Sequence, residues 1–436
     1  MALRGKFFGT LYRWHRWIGL MLVIPLVVLI LTGSLLVFRE ELEALVPLSE
    51  KHTETQVGKE MSLQQMLDAA QLKYPGDHPV ALSFDDHNPN RVTVRIGVDG
   101  SKKFSGSHRV YFDRHLGLVD KKSDDKGFWD FTLRLHREYL LGFYGKLLVG
   151  FLGLLFIFSL LSGFYLYGPT TLKLSYGWIR RGKTSWTWAD VHKLVGITSF
   201  SWMLLMGVSG LLLAISGQLL QIYQYTELKA LSAEYGERSL SSDPVSLDAA
   251  VKAVMSAKPQ SEMSFITFPE SEYSTPLHYI FVMNGTEAWN KYLSELVLVD
   301  ASTGRVAEER PLPWYLKAAV LSEPLHFGNY GGLTLKGVWM SFGIFGLILS
   351  VSGPLLYFRK KRADSLVKGF PSSKLRNPSL RSPYTIPALI IALIFLSSLT
   401  ALFVEQGLDI LAALVAAMPL IYLTRRIIRA LRLKKA

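Results

Sequence analysis

His15, His136, His192 and His326 stand at the ends of long apolar segments, and their settings repeat. His15, Gly19 and Gly33 reappear as His192, Gly196 and Gly210, with intervals of four and eighteen residues in both sets. His136, Lys146, Gly153, Gly163 and Tyr167 reappear in the same register as His326, Lys336, Gly343, Gly353 and Tyr357. Two imidazoles can supply both axial ligands of one haem iron. Four imidazoles in two symmetric pairs therefore predict two haem b groups. The absence of cysteine excludes thiolate nucleophiles, Fe–S clusters, disulfides and covalent c-type attachment, so the haems would be held by histidine alone. The plainer reading makes the histidines interfacial polar residues, the glycines helix-packing positions and the repetition a record of duplication.

The elements that must position these residues are membrane helices. Six apolar runs approach or exceed the roughly 20 residues that span a bilayer, at about 17–38, 144–167, 194–222, 333–358, 384–404 and 408–424. The first is followed by Arg39, Glu40, Glu41 and Glu43 and lacks a small-x-small cleavage site, so it reads as a span and not as a signal peptide. Residues 1–16, 168–187, 359–383 and 425–436 hold 22 basic residues against one acid, leaving 26 basic against 34 acidic in the remainder. Basic loops stay in the cytoplasm, so both termini are expected inside and the long segments outside. The net charge of +13 thus reflects membrane topology and gives no argument for nucleic-acid binding.

The expected architecture is a helical membrane bundle of duplicated two-helix units, about six spans in all, with two small α+β external domains. A helix at 10–38, an external domain at 39–135 and a returning helix at 136–167 form the first unit. The second comprises 188–222, 223–325 and 326–358, and a hairpin at 384–424 lacks histidine. Each external segment carries a helical stretch, 62–76 and 246–260, followed by alternating strand-like runs and an Asp-x-x-x-Gly turn, Asp113 to Gly117 and Asp300 to Gly304. Depth sorts the histidines. His15 and His192 precede outgoing helices, and His136 and His326 precede incoming ones. Eighteen residues of helix between His15 and Gly33 cover about 27 Å. The expected pairs are therefore His15 with His192 near the inner face and His136 with His326 near the outer. A pseudo-two-fold axis along the membrane normal would bring helices one and three together, and likewise two and four.

The Trp14-His15-Arg16-Trp17-Ile18-Gly19 opening carries a family likeness. So do Leu135-His136 and Leu325-His326, the pairs Ser162-Gly163 and Ser352-Gly353, and the two Asp-x-x-x-Gly turns. Over about residues 10–360 the chain resembles the PepSY-associated transmembrane-helix family, and its external segments resemble PepSY domains. The resemblance implies a bacterial inner-membrane protein with periplasmic domains, and an activity: reduction of a ferric siderophore by a haem protein, releasing Fe(II). The missing Walker A motif argues against ATP-driven transport, and the missing dinucleotide fingerprint means electrons must come from outside the chain: a separate cytoplasmic flavoprotein, a reduced nicotinamide via a partner, or membrane quinol.

Two other readings stay open: a non-enzymatic PepSY module that regulates a peptidase or senses a ligand, and a quinol-linked cytochrome with a protein acceptor. A transporter would show broken helices or charges deep in the membrane. Arg13, Arg16 and Lys193, and Arg134 and Arg137, flank the two levels as candidates for haem propionates or as surface charges. Trp14, Trp17, Trp186, Trp188 and Trp314 read as an aromatic belt. His52, His78, His87, His108, His115 and His278 read as surface or turn residues.

Overall fold

The computed structural model describes residues 2–45, 60–85, 90–119, 127–171, 176–180, 184–235, 240, 243–287, 290–328, 330, 332–364, 384–403 and 408–432. The chain divides into two units. Met1–Val46, Gly127–Ile215 and Ser322–Ala436 form a helical unit, and Pro47–Lys126 with Ser216–Leu321 form a sheet unit. In chain order, α1 (Ala2–Val37) and α2 (Arg39–Leu45) precede α3 (Leu63–Lys73) and strands β1 (Pro79–Phe84), β2 (Arg91–Ile96), β3 (His108–Asp113) and β4 (Gly117–Val119). Helices α4 (Phe128–Glu138), α5 (Gly142–Thr171), α6 (Thr184–Thr198) and α7 (Phe200–Ala214) follow. Next come α8 (Ser216–Tyr223), a π-helical turn at Gln224–Leu228, α9 (Lys229–Glu234), α10 (Leu247–Ala257) and β5 (Ser261–Thr267). The chain continues through β6 (His278–Gly285), β7 (Glu295–Asp300) and β8 (Val306–Pro311). It ends with α11 (Trp314–Phe327), α12 (Gly332–Asp364), α13 (Thr385–Phe403) and α14 (Leu408–Arg432).

In the helical unit, Lys6–Val37, Gly142–Gly168 and Gly332–Phe358 are long and apolar enough to cross a membrane. The expected 194–222 span is broken: Trp186–Thr198 and Phe200–Ala214 meet at 62°, and if they count as one span the total is four. Side-chain hydroxyls gather at the bend. The Val195 carbonyl receives both the backbone N–H of Ser199, at 3.0 Å, and its hydroxyl, at 2.6 Å. The Thr198 hydroxyl meets the Tyr176 hydroxyl at 2.7 Å. Serine back-bonding of this kind bends helices. One of the two features expected of a transporter, a broken helix, is therefore present. Six spans are not shown: among the described residues α13 offers a shorter apolar stretch, Thr385–Thr400, and α14 turns basic at Arg425.

The packing corrects the expected helix neighbours as well. α1 packs against α5 and α12, α5 against α7, and α6 against α12. Sequence-equivalent helices thus avoid the adjacent positions of the bundle. Adjacent places go to unlike helices because a two-fold axis through a four-helix ring sets like helices at opposite corners. α13 and α14 pack on each other and against α7 and α12, in a core that includes Trp202, Trp339, Phe342, Ile394 and Leu420.

The sheet unit joins what the sequence suggests are two small domains. One antiparallel sheet of eight strands runs β4-β3-β2-β1-β5-β6-β7-β8. Its centre is the β1–β5 pair, with Leu82 opposite Ile266. α3 and α10 cover it, and Leu63, Met66, Leu247 and Val254 share one core with Leu82, Ile266 and Phe281. The two helices are tied at their first turns. The Gln64 N–H donates to Asp248 Oδ1 at 3.1 Å, and the Leu247 N–H donates to Gln64 Oε1 at 2.6 Å. Ser62 and Gln65 complete a capping box on α3. The two Asp-x-x-x-Gly turns form as expected. Asp113 Oδ1 accepts from the N–H groups of His115 and Leu116, Asp300 Oδ1 from those of Ser302 and Thr303, and Gly117 and Gly304 take positive φ. His278 departs from its surface reading. It is buried in β6, with Nδ1 2.7 Å from the Thr275 hydroxyl, and burial holds its pKa below the usual histidine value. His52 and His87 lie outside the described residues.

Candidate functional site

Each of the four repeat-matched histidines rests on a neighbouring helix of its own repeat, always through Nδ1 and always against a hydroxyl residue followed by glycine. His15 of α1 lies against α5, with Nδ1 3.0 Å from the Ser159 carbonyl and 3.0 Å from Ser162 Oγ. His136 of α4 lies against α1, 3.1 Å from the Leu29 carbonyl and 3.0 Å from Thr32 Oγ1. His192 of α6 lies against α12, 2.7 Å from Ser352 Oγ. His326 of α11 lies against α7, 3.0 Å from Ser209 Oγ and hydrogen-bonded to the Met206 backbone.

The glycine after each hydroxyl explains the fit. A Cβ at Gly33 would lie 2.9 Å from His136 Cε1, at Gly163 2.9 Å from His15 Cε1, and at Gly210 3.0 Å from His326 Cε1. At Gly353 the distance to His192 Cε1 is a comfortable 3.9 Å. The flat ring these glycines admit is thus the imidazole. Gly153 and Gly343 serve helix packing instead, facing Leu211 of α7 and Ser34 of α1. Gly19 faces open space.

The backbone between helices sets these rings in place. Tyr139, Leu140 and Gly142 all have positive φ, which folds α4 back sharply on α5, and the Tyr139 hydroxyl donates to the Pro25 carbonyl of α1 at 2.9 Å. Gly328 and Gly332 take positive φ at the matching corner between α11 and α12, where a Cβ on Gly328 would strike Trp339.

The rings of His136 and His326 come together, with centroids 6.1 Å apart and planes inclined by 55°. Two imidazoles on opposite sides of one metal, each bonded at about 2 Å, have centroids about 6 Å apart. His192 lies within electrostatic reach of His15. His136 leans on residues 29–33 of α1, well along the helix from His15, so the two sit at separate levels. Among the described residues no cluster of three or more His, Asp or Glu side chains is arranged to hold a bare metal ion. A haem iron needs only two such ligands, because its macrocycle supplies the rest. The paired imidazoles, each with Nδ1 occupied, fit that requirement.

Arg134, Arg137 and Lys193 of the flanking charges have carboxylate partners. Arg134 and Arg137 pair with the buried Glu138, both at 3.3 Å. Arg180 grips the buried Asp190 in a bidentate pair, with Nε–Oδ2 at 2.8 Å, and Lys193 lies 3.6 Å from the same carboxylate. Arg16 lies over the rings of Trp17 and Tyr357. Trp14, Trp17 and Trp314 are exposed, as a belt requires, whereas Trp188 packs into the core of the second repeat and Trp186 carries Arg180 on its face. The repeat-matched Lys336 is buried and ion-paired with Glu40, at 3.3 Å, and Glu41, at 2.8 Å. Hydrogen bonding to that ammonium holds the Glu41 carboxyl below its usual range.

Sequence reasoning passed over Thr32 and Ser209, and gave Ser162 and Ser352 no role beyond their family likeness. The signal was nevertheless present: a hydroxyl residue precedes every glycine that lies eighteen residues after His15 or His192, or twenty-seven after His136 or His326.

Comparison with known families gives one match. A family model described as the PepSY-associated TM region covers residues 12–360. No curated protein matches the chain.

Proposed function

The chain belongs to the PepSY-associated TM region family, and from that premise we propose that it is a di-haem b-type membrane reductase. His15 with His192 and His136 with His326 would hold the two groups. Haem bound there would supply one-electron redox chemistry. The substrate in this reading is a ferric siderophore on the periplasmic side of the bacterial inner membrane. One electron converts its Fe(III) to Fe(II), which hard-oxygen chelators hold far less tightly. The electron comes from a cytoplasmic flavoprotein or from quinol, and both termini face the cytoplasm.

The observation that carries the reading is the His136–His326 pair: two half-buried rings 6.1 Å apart, each tethered by Nδ1. Neighbouring hydroxyls and carbonyls hold the tethers at Nδ1, which leaves Nε2 as the nitrogen that would hold an iron.

The test is a visible spectrum of detergent-purified protein, oxidised and dithionite-reduced, with a pyridine haemochrome assay. Two b-type haems per chain are expected, followed by reduction of a ferric siderophore on addition of an electron donor. A colourless protein that also fails to take up added haem would overturn the reading in favour of a non-enzymatic binding or sensing module. Haem without siderophore reduction would favour a cytochrome that serves a protein acceptor.

A further inference from the structure

We infer that Thr32, Ser162, Ser209 and Ser352 are positioning residues that select the Nδ1–H tautomer of the four histidines and so reserve Nε2 for a ligand. A serine or threonine hydroxyl has one proton to give. In all four cases a carbonyl of the residue's own helix receives it. Thr32 donates to Val28 at 2.7 Å, Ser162 to Ser159 at 2.9 Å, Ser209 to Leu205 at 2.6 Å and Ser352 to Leu349 at 3.2 Å. Toward the imidazole each hydroxyl oxygen is therefore an acceptor, and the ring nitrogen facing it carries the hydrogen. For His15, His136 and His326 the backbone carbonyl at the same nitrogen imposes the same choice, because a carbonyl can only accept. Nε2 is then the lone-pair nitrogen in every ring.

The device is local to each repeat. α5 and α1 orient the histidines of the first repeat, and α12 and α7 those of the second. The repeats present their ligands already aimed, and pairing across the bundle brings the lone pairs together. Partners on the far nitrogen of a ligating histidine fix its orientation and strengthen its basicity. The four sites are not equal. Three rings have a carbonyl as well as a hydroxyl, whereas among the described residues His192 has Ser352 alone. Ser352 is therefore the residue whose loss is not buffered.

The functional consequence rests on the haem reading, while the tautomer itself does not, and the experiment separates them. Full-length wild type, Ser352→Ala, Ser352→Thr and Ser162→Ala are purified for haem retention and midpoint potentials, and the same proteins labelled with [15N]histidine are compared by NMR in bilayers. Ser352→Ala is expected to loosen one haem roughly 10–100-fold and shift one potential. Ser352→Thr keeps the acceptor and restores both, and Ser162→Ala changes far less because the Ser159 carbonyl still holds His15. Wild-type retention and potentials in Ser352→Ala overturn the inference, as does a threonine variant that fails like alanine. Should the wild type carry no haem, the proposed function falls alone. The NMR then decides the tautomer: Nδ1–H on the four repeat-matched rings supports it, and Nε2–H on His192 of the wild type overturns it.

Discussion

Gly163 carries only a hydrogen where any other residue would place a carbon 2.9 Å from His15 Cε1, whereas the matched Gly353 has 3.9 Å to spare. Two equivalent positions in the repeat thus tolerate substitution differently. Gly163→Ala should displace His15 and cost about one haem per chain, while Gly353→Ala should leave the haem complement near that of wild type; a pyridine haemochrome assay on both reads the contrast. Removal of a ring is blunter. His136→Ala should lose one haem and keep the other, and a variant retaining both would remove His136 from the ligand set. At this scale the histidines and glycines stood out in the sequence through their intervals, and Ser162 and Ser352 only through the family likeness of their Ser-Gly pairs. Thr32 and Ser209 did not, because a hydroxyl in an apolar helix normally satisfies itself on its own backbone. Only the structure shows that each oxygen also faces an imidazole.

Among the elements, α2 and α12 are joined by an ion-pair cluster around an enclosed lysine. Lys336 is 6% exposed in its side chain, against 55% for Glu40 and 32% for Glu41. Lys336→Ala removes hydrogen bonds to charged partners and should cost about 1.5–3 kcal/mol, toward the lower end because both carboxylates reach solvent. Thermal unfolding followed by circular dichroism measures it, and an unchanged midpoint would show the cluster to be idle. The matched lysine interval between Lys146 and Lys336 was legible from sequence, but its acidic partners were not, since they come from an element almost three hundred residues earlier. The bend between α6 and α7 was hidden for a related reason. An apolar run reads as one helix, and nothing in its periodicity marks the junction at Ser199.

At the scale of the whole molecule, each unit makes its own demand. In the sheet unit, burial keeps His278 below its ordinary pKa even though Asp300 and Glu308 pull the other way. The unfolded chain therefore binds the proton more readily, and stability falls as pH drops through the unfolded value of about 6.5. The unfolding midpoint should decline between pH 7 and pH 5, and His278→Asn should flatten that decline; parallel curves would assign the acid sensitivity to other groups. In the helical unit, α13 and α14 supply Ile394, Leu420 and Leu423 to a shared core but none of the four histidine anchors. Ending the chain after Asp364 should lower thermal stability while leaving the haem-to-protein ratio unchanged. The duplicated plan was legible because identical intervals recur over hundreds of residues. The merging of the two small domains into one sheet was not, since the β1–β5 pair that joins them links residues more than 180 positions apart and leaves no local pattern.

That merger sets a timetable for the growing chain. β1 pairs with β2 on one side, but its other neighbour is β5, some 180 residues later. At about 5–20 residues per second, ribosomal synthesis of the intervening stretch takes roughly 10–40 s. Throughout that interval the first half of the sheet presents an unpaired edge, the surface most prone to annealing with a stranger. A nascent chain caught midway is a template waiting for its complement, so the second repeat acts on the first as a built-in chaperone that arrives late.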